Sequence, residues 1–207
     1  GGQTSSTSAT GAVGVYLVAI GGGTLTNAGT IEGGSNSAGV VVQAPNSPII
    51  NSGHIRGGLI NGGATGERAD AIRSTGATIV DLELRAGSTI EGNVVAGTSG
   101  NDILRLGGTD DSSFDVSAIG ATAQYRNFEN FEKTGSSTWT LTGEGTSPTP
   151  WQILEGTLQI GAGDASGSII GDVTNNATLV FNGSGANALH GAISGTGVVR
   201  HLGSGST

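Results

Sequence analysis

Residues 25–34 read LTNAGTIEGG and residues 50–58 read INSGHIRGG. Aligned on each other, Leu25/Ile49, Asn27/Asn51, Gly29/Gly53, Ile31/Ile55 and Gly33/Gly57 all lie 24 residues apart. A third copy, AGSTIEGN at residues 86–93, places Ile90 and Gly92 35 residues beyond Ile55 and Gly57, as though residues 62–68 formed an extra loop. In the last third the period shortens. Leu158/Leu179 and Ile160/Phe181 are 21 apart, while Ile169/Leu189, Gly171/Gly191, Val173/Ile193 and Leu179/Val199 are 20 apart.

Units of this length, made of short strands and Gly/Asn bends with neither helical periodicity nor a leucine-rich consensus, predict the stacked coils of a single-stranded parallel β-helix, an all-β solenoid. Within a strand such as TWTLT at residues 138–142, alternation turns Trp139 and Leu141 inward and the threonines to solvent. Stacking makes two side-chain predictions. Asn27 sits over Asn51, where equivalent amides can hydrogen-bond up the stack. Glu32, Arg56 and Glu91 share one slot and form an alternating-sign column on the outer wall, worth at most about 1 kcal/mol per exposed pair.

Composition agrees with repetitive turns. Forty of the 207 residues are glycine, far above the usual share of about 7%, yet there is no collagen period and only 4 prolines. Lys and Arg total 8 against 16 Asp and Glu, and Lys133 is the sole lysine. No basic stripe exists, so nucleic acid is not an expected partner. No apolar run is long enough to span a bilayer as a helix. The start, Gly1-Gly2-Gln3, has neither a signal peptide nor a Met, which suggests a piece of a longer chain. The absence of cysteine removes disulfides and thiolate metal sites, and fits a secreted chain that stays unfolded in an oxidising compartment.

The eight aromatic residues (2 Trp, 2 Tyr, 4 Phe) are unevenly placed. Phe114, Tyr125, Phe128, Phe131, Trp139 and Trp151 fall within residues 114–151, so this stretch is expected to hold the best-packed interior.

Candidate chemical sites have structural readings beside them. GTSGNDILRLGG at residues 97–108 partly resembles a calcium-binding Gly-Asp nonapeptide, but one copy builds half a site, and the segment reads as a bend followed by a strand. Asp110, Asp111 and Asp115 near Arg105 are of the kinds used in polysaccharide-cleaving β-helices. Their setting, GGTDDSSFD, favours turn formation. His54, His190 and His201 lack metal-ligand spacing. Residues 163–167, GDASG, lack the strand-to-helix elbow of a nucleophilic serine. Asn176-Ala177-Thr178 and Asn182-Gly183-Ser184 match the N-glycosylation pattern, as an Asn/Ser/Thr-rich chain does by chance. No catalytic residue, cofactor or metal is expected.

The ordered series FENFEKTG at residues 128–135, STWTLTG at 137–143, WQILEGTLQIG at 151–161, NNATL at 175–179 and GAISGTG at 191–197 resembles the C-terminal passenger region of classical (type V secretion) autotransporters of Gram-negative bacteria, the part carrying the autochaperone segment. The resemblance covers residues 128–207. It implies a right-handed β-helix whose last coils fold first as the chain leaves an outer-membrane β-barrel and then template the upstream coils. It implies a non-enzymatic stem of a surface adhesin or virulence factor, extracellular or on the cell surface after export through the periplasm and outer membrane. The partners so implied are the protein's own C-terminal β-barrel and a host-cell or extracellular-matrix ligand. A carbohydrate-processing β-helix enzyme and a self-associating cell–cell adhesin are the alternatives.

On this reading residues 1–107 form coils of the stem, 108–127 a junction coil and loop, and 128–207 the autochaperone-like coils and cap. Parallel coils lose loop-closure entropy before their contacts form, so a nucleus rich in large side chains lowers the barrier. Phe128, Phe131, Trp139, Leu141, Trp151, Ile153, Leu158 and Ile160 are the candidates for it.

Overall fold

The computed structural model describes residues 11–18, 23–43, 47–98, 100–165, 167–185 and 189–205. Gly1, Gly2 and Gln3, Ser99 of the nonapeptide-like motif and Ser166 of GDASG lie outside the described residues. The fold is all-β, with parallel strands stacked as a β-solenoid of about eight turns and almost no helix. Two short 3-10 turns, Ile60–Gly63 and Val116–Ala118, are its helical elements among the described residues. Two compact units divide the chain: residues 1–83, 87–102 and 124–128 form the first, and residues 84–86, 103–123 and 129–207 the second.

In the first unit one wall runs through Val15–Leu17, Val40–Val42, Ile72–Ser74, Val94–Val95 and Tyr125–Arg126. A second wall pairs Leu25–Asn27 with Ile49–Asn51, and a third stacks Thr30–Glu32, His54–Arg56 and Thr89–Glu91. The registers are those of the repeat: Leu25↔Ile49 and Asn27↔Asn51 on one wall, Ile31↔Ile55 and Glu32↔Arg56 on another, then Ile55↔Ile90 and Arg56↔Glu91. The jump from 24 to 35 residues is absorbed by an excursion closed by an antiparallel bridge between Leu59 and Arg68, slightly longer than the loop expected from the sequence. Its tip needs left-handed backbone at Asn61 and Gly62 (φ 50° and 68°), which suits these residue types.

In the second unit one wall carries Ile103–Leu106, Asn130–Lys133, Trp151–Ile153, Val173–Asn175 and Ile193–Ser194. Another carries Ser112–Asp115, Thr138–Thr142, Thr157–Ile160, Thr178–Phe181 and Val198–His201, and a shorter one Glu144–Pro148, Ser168–Ile170 and Leu189–His190. The shortened periods reappear as Leu158↔Leu179 and Ile160↔Phe181, Ile169↔Leu189, Val173↔Ile193 and Leu179↔Val199. Trp139 and Leu141 are buried as their alternation requires. Thr138, Thr140 and Thr142 are half-buried rather than fully exposed, because stacked neighbours such as Thr157 and Gln159 flank them.

Candidate functional site

The side chains expected to seed folding are buried. Phe131, Leu141, Ile153, Leu158 and Ile160 are fully buried, and Trp139 and Trp151 almost so. Several stack on another large apolar side chain in the adjoining coil: Phe131↔Trp151, Trp139↔Leu158 and Leu141↔Ile160. The Phe131 and Trp151 rings tilt at 47° with centroids 5.5 Å apart, a favourable aromatic arrangement. Burial of each large side chain contributes roughly 1.5–3 kcal/mol. Phe128 is also buried but belongs to the first unit, with Tyr125. Burial raises the Tyr125 phenol pKa well above its ordinary value.

Polar groups enter these interiors at the ends of strands, where bends turn backbone carbonyls inward. Asn27 Nδ2 donates to Asn51 Oδ1 at 2.8 Å, as the repeat predicted. It also reaches the carbonyls of Gly29 and His54. Asn51 Nδ2 continues the chain to Gly53 O at 3.0 Å and Ser88 Oγ at 2.6 Å. In the second unit Asn175 plays the same part, donating to Val198 O at 2.9 Å while its Oδ1 accepts from the Ala177 amide. Lys133, read from the sequence only as the sole lysine, is fully buried. Its Nζ donates to Thr134 O at 2.6 Å, Gly135 O at 2.8 Å and Glu155 O at 3.3 Å. The available signal was its place in the alternation FEK, two residues after Phe131, which directs both side chains inward.

The outer-wall candidates have structural partners. Arg56 Nη2 lies 3.1 Å from Glu32 Oε2, so the first pair of the expected column forms. Arg68, at the foot of the excursion, enters it as well: Nε is 2.8 Å from Glu91 Oε2 and Nη1 3.4 Å from Glu32 Oε1. Sequence spacing did not reveal this residue, because the excursion lies outside the repeat. Asp102 is fully buried, and its Oδ1 accepts the Val80 and Gly97 amides at 2.6 and 3.2 Å. That is a bend-closing role, and the strand expected after it is Ile103–Leu106. Arg105 is paired with Glu132 of the next coil. Asp111 Oδ1 accepts the Thr138 amide at 2.7 Å, and Asp115 Oδ1 caps the turn at Ser117 through its amide at 2.9 Å and hydroxyl at 2.6 Å. His54, His190 and His201 are exposed. Asn176 Oδ1 accepts from the Thr196 amide at 3.3 Å. Among the described residues no three His, Cys, Asp or Glu side chains cluster as metal ligands.

No family model matches the chain, and no solved structure matches it. Among curated proteins, the Adhesin BmaC autotransporter of Brucella suis biovar 1 (strain 1330) is 53% identical over 47 residues, 23% of this chain. The matched stretch is 1% of that protein's length.

Proposed function

We propose that this β-solenoid, which shares a stretch of sequence with an autotransporter adhesin, is a stem segment of an autotransporter passenger exposed at the bacterial cell surface. Its work is mechanical. It presents adhesive surface and carries no catalytic centre, and its last coils, residues 128–207, nucleate folding as the chain emerges from its own outer-membrane β-barrel. The expected folding nucleus is Phe128, Phe131, Trp139, Leu141, Trp151, Ile153, Leu158 and Ile160.

The observation that carries this reading is the buried register of large side chains in successive coils, Phe131 on Trp151 and Trp139 on Leu158, in a chain whose aromatic content is only 4%. Contacts that bury so much area per residue offset loop-closure entropy earliest in a parallel stack. The carbohydrate-processing alternative has less support, because Arg105, Asp111 and Asp115 already have the partners that close bends and coils.

The test is refolding from guanidinium, followed by circular dichroism, of the full chain and of a chain ending at Gln124. Loss or large slowing of refolding in the shorter chain, with rescue by a separately supplied piece of residues 125–207, is the expected result. Equal refolding of the two would reduce the C-terminal coils to a cap.

A further inference from the structure

In the second unit one interior column runs Leu106, Lys133, Ile153 and Asn175 through successive coils. Leu106, Lys133 and Ile153 each precede a bend with a carbonyl oxygen that accepts from an interior donor, and Asn175 precedes one whose Ala177 amide donates to its Oδ1. Lys133 donates into its own bend, and Asn175 accepts from the amide of its own while its Nδ2 donates to Val198 O in the next coil. Leu106 and Ile153 carry no side-chain donor. Their bends are served from outside: Gly107 O accepts Trp139 Nε1–H at 3.0 Å, and Glu155 O accepts Lys133 Nζ–H at 3.3 Å. Both donors come from one coil, residues 130–142, which lies between the two coils that lack them.

We propose that this coil is a donor hub that couples the coils on either side of it. Its Trp139 indole completes the bend after Leu106, and its Lys133 ammonium completes the bend after Ile153 while also holding its own bend at Thr134 and Gly135. A carbonyl left unpaired in an apolar interior is costly, and an ammonium without acceptors more so. Each neighbour therefore has one bend carbonyl whose interior donor comes from the hub, and the hub's own charge is satisfied in part by the coil that follows. Trp151 supplies the contrast within the same interior. Its indole N–H is buried with no hydrogen-bond partner, so it contributes area without this coupling.

The inference concerns the folded state and does not depend on which coils fold first. Its test is native-state hydrogen exchange on the full chain, comparing Lys133→Met, Trp139→Phe and Trp151→Phe with the unsubstituted protein. Lys133→Met is expected to lower protection about tenfold or more at the amides of Leu154, Glu155 and Thr157, which bond to the Lys133 and Ser137 carbonyls. Trp139→Phe is expected to do so at Gly107 and Ser137, and Trp151→Phe at neither set. Uniform loss of protection across the unit in both hub variants, or unchanged protection in both, overturns the proposal. If Lys133→Met does not fold, the comparison of Trp139→Phe with Trp151→Phe still decides, because equal local effects from the two would leave the hub without support.

Discussion

The two units fill the inside of the same kind of coil with different materials. In the first the buried apolar residues are largely small or β-branched, Val40, Val42, Ile49, Ile55, Ala71, Ile72 and Val94, and the polar interior is an amide chain from Asn27 through Asn51. In the second the interior holds Phe114, Phe131, Trp139, Trp151 and Phe181, with an ammonium and one asparagine serving its bends. Coils filled with small side chains depend on close backbone approach and repeated hydrogen bonds. Coils filled with aromatic side chains depend more on buried area. The difference implies that identical classes of substitution act unequally in the two units, and that most of the large local burial expected of a folding nucleus lies in the second, with Tyr125 and Phe128 the buried aromatic residues of the first.

The sharpest challenge to the comparison is Trp151→Ala. It empties the most voluminous fully buried position and is expected to cost about 3–5 kcal/mol in guanidinium unfolding. A cost near 1 kcal/mol would mean that the aromatic interior repacks freely, and the contrast between units would lose its basis. In the first unit, Asn51→Ala removes partners from Asn27, Gly53 and Ser88 together. The expected loss is about 1–3 kcal/mol, and protection at neighbouring amides should fall only locally.

Glycine tests close approach within a single repeat slot. A Cβ on Gly53 meets Gly29 O at 2.2 Å, whereas one on Gly29 meets nothing within 4 Å. Gly53→Ala is therefore expected to destabilise by about 1–3 kcal/mol. Gly29→Ala should stay within about 0.5 kcal/mol of the starting protein, and equal melting shifts for the two would contradict the stacked geometry. Smallest of all is the outer-wall column. A double-mutant cycle on Glu32 and Arg56, whose side chains are 43% and 34% exposed, is expected to give a coupling below about 1 kcal/mol that shrinks with salt. A larger, salt-insensitive value would show that the wall contributes to stability on the scale of the interior.

Much of this architecture was legible in the repeat. The 24-residue identity between Asn27 and Asn51, the step of 35 to Ile90 and the later periods of 21 and 20 each match a strand register. The burial of the aromatic-rich segment was legible too, because aromatic residues are rare enough for their clustering to stand out. Lys133 and Asp102 were harder to read. Charged residues in Gly/Ser/Thr-rich surroundings resemble solvated bend residues, and nothing in their spacing reveals that a carbonyl or an amide waits for them inside. Arg68 escaped for another reason. It reaches Glu32 and Glu91 from an excursion with no counterpart in the other copies, so alignment has no column in which to place it.

By itself the sequence determined the coil as a unit, which residues stack, and which side of each strand faces inward, since periodicity and alternation are properties of the chain taken in order. Only the tertiary structure decided which inward bends need a donor and which neighbouring coil supplies it. It also decided why Gly53 is crowded where Gly29 is open. Those outcomes depend on distances of a few ångströms between residues about 20 to 30 positions apart, set by the path of the bends rather than by the spacing of the repeat.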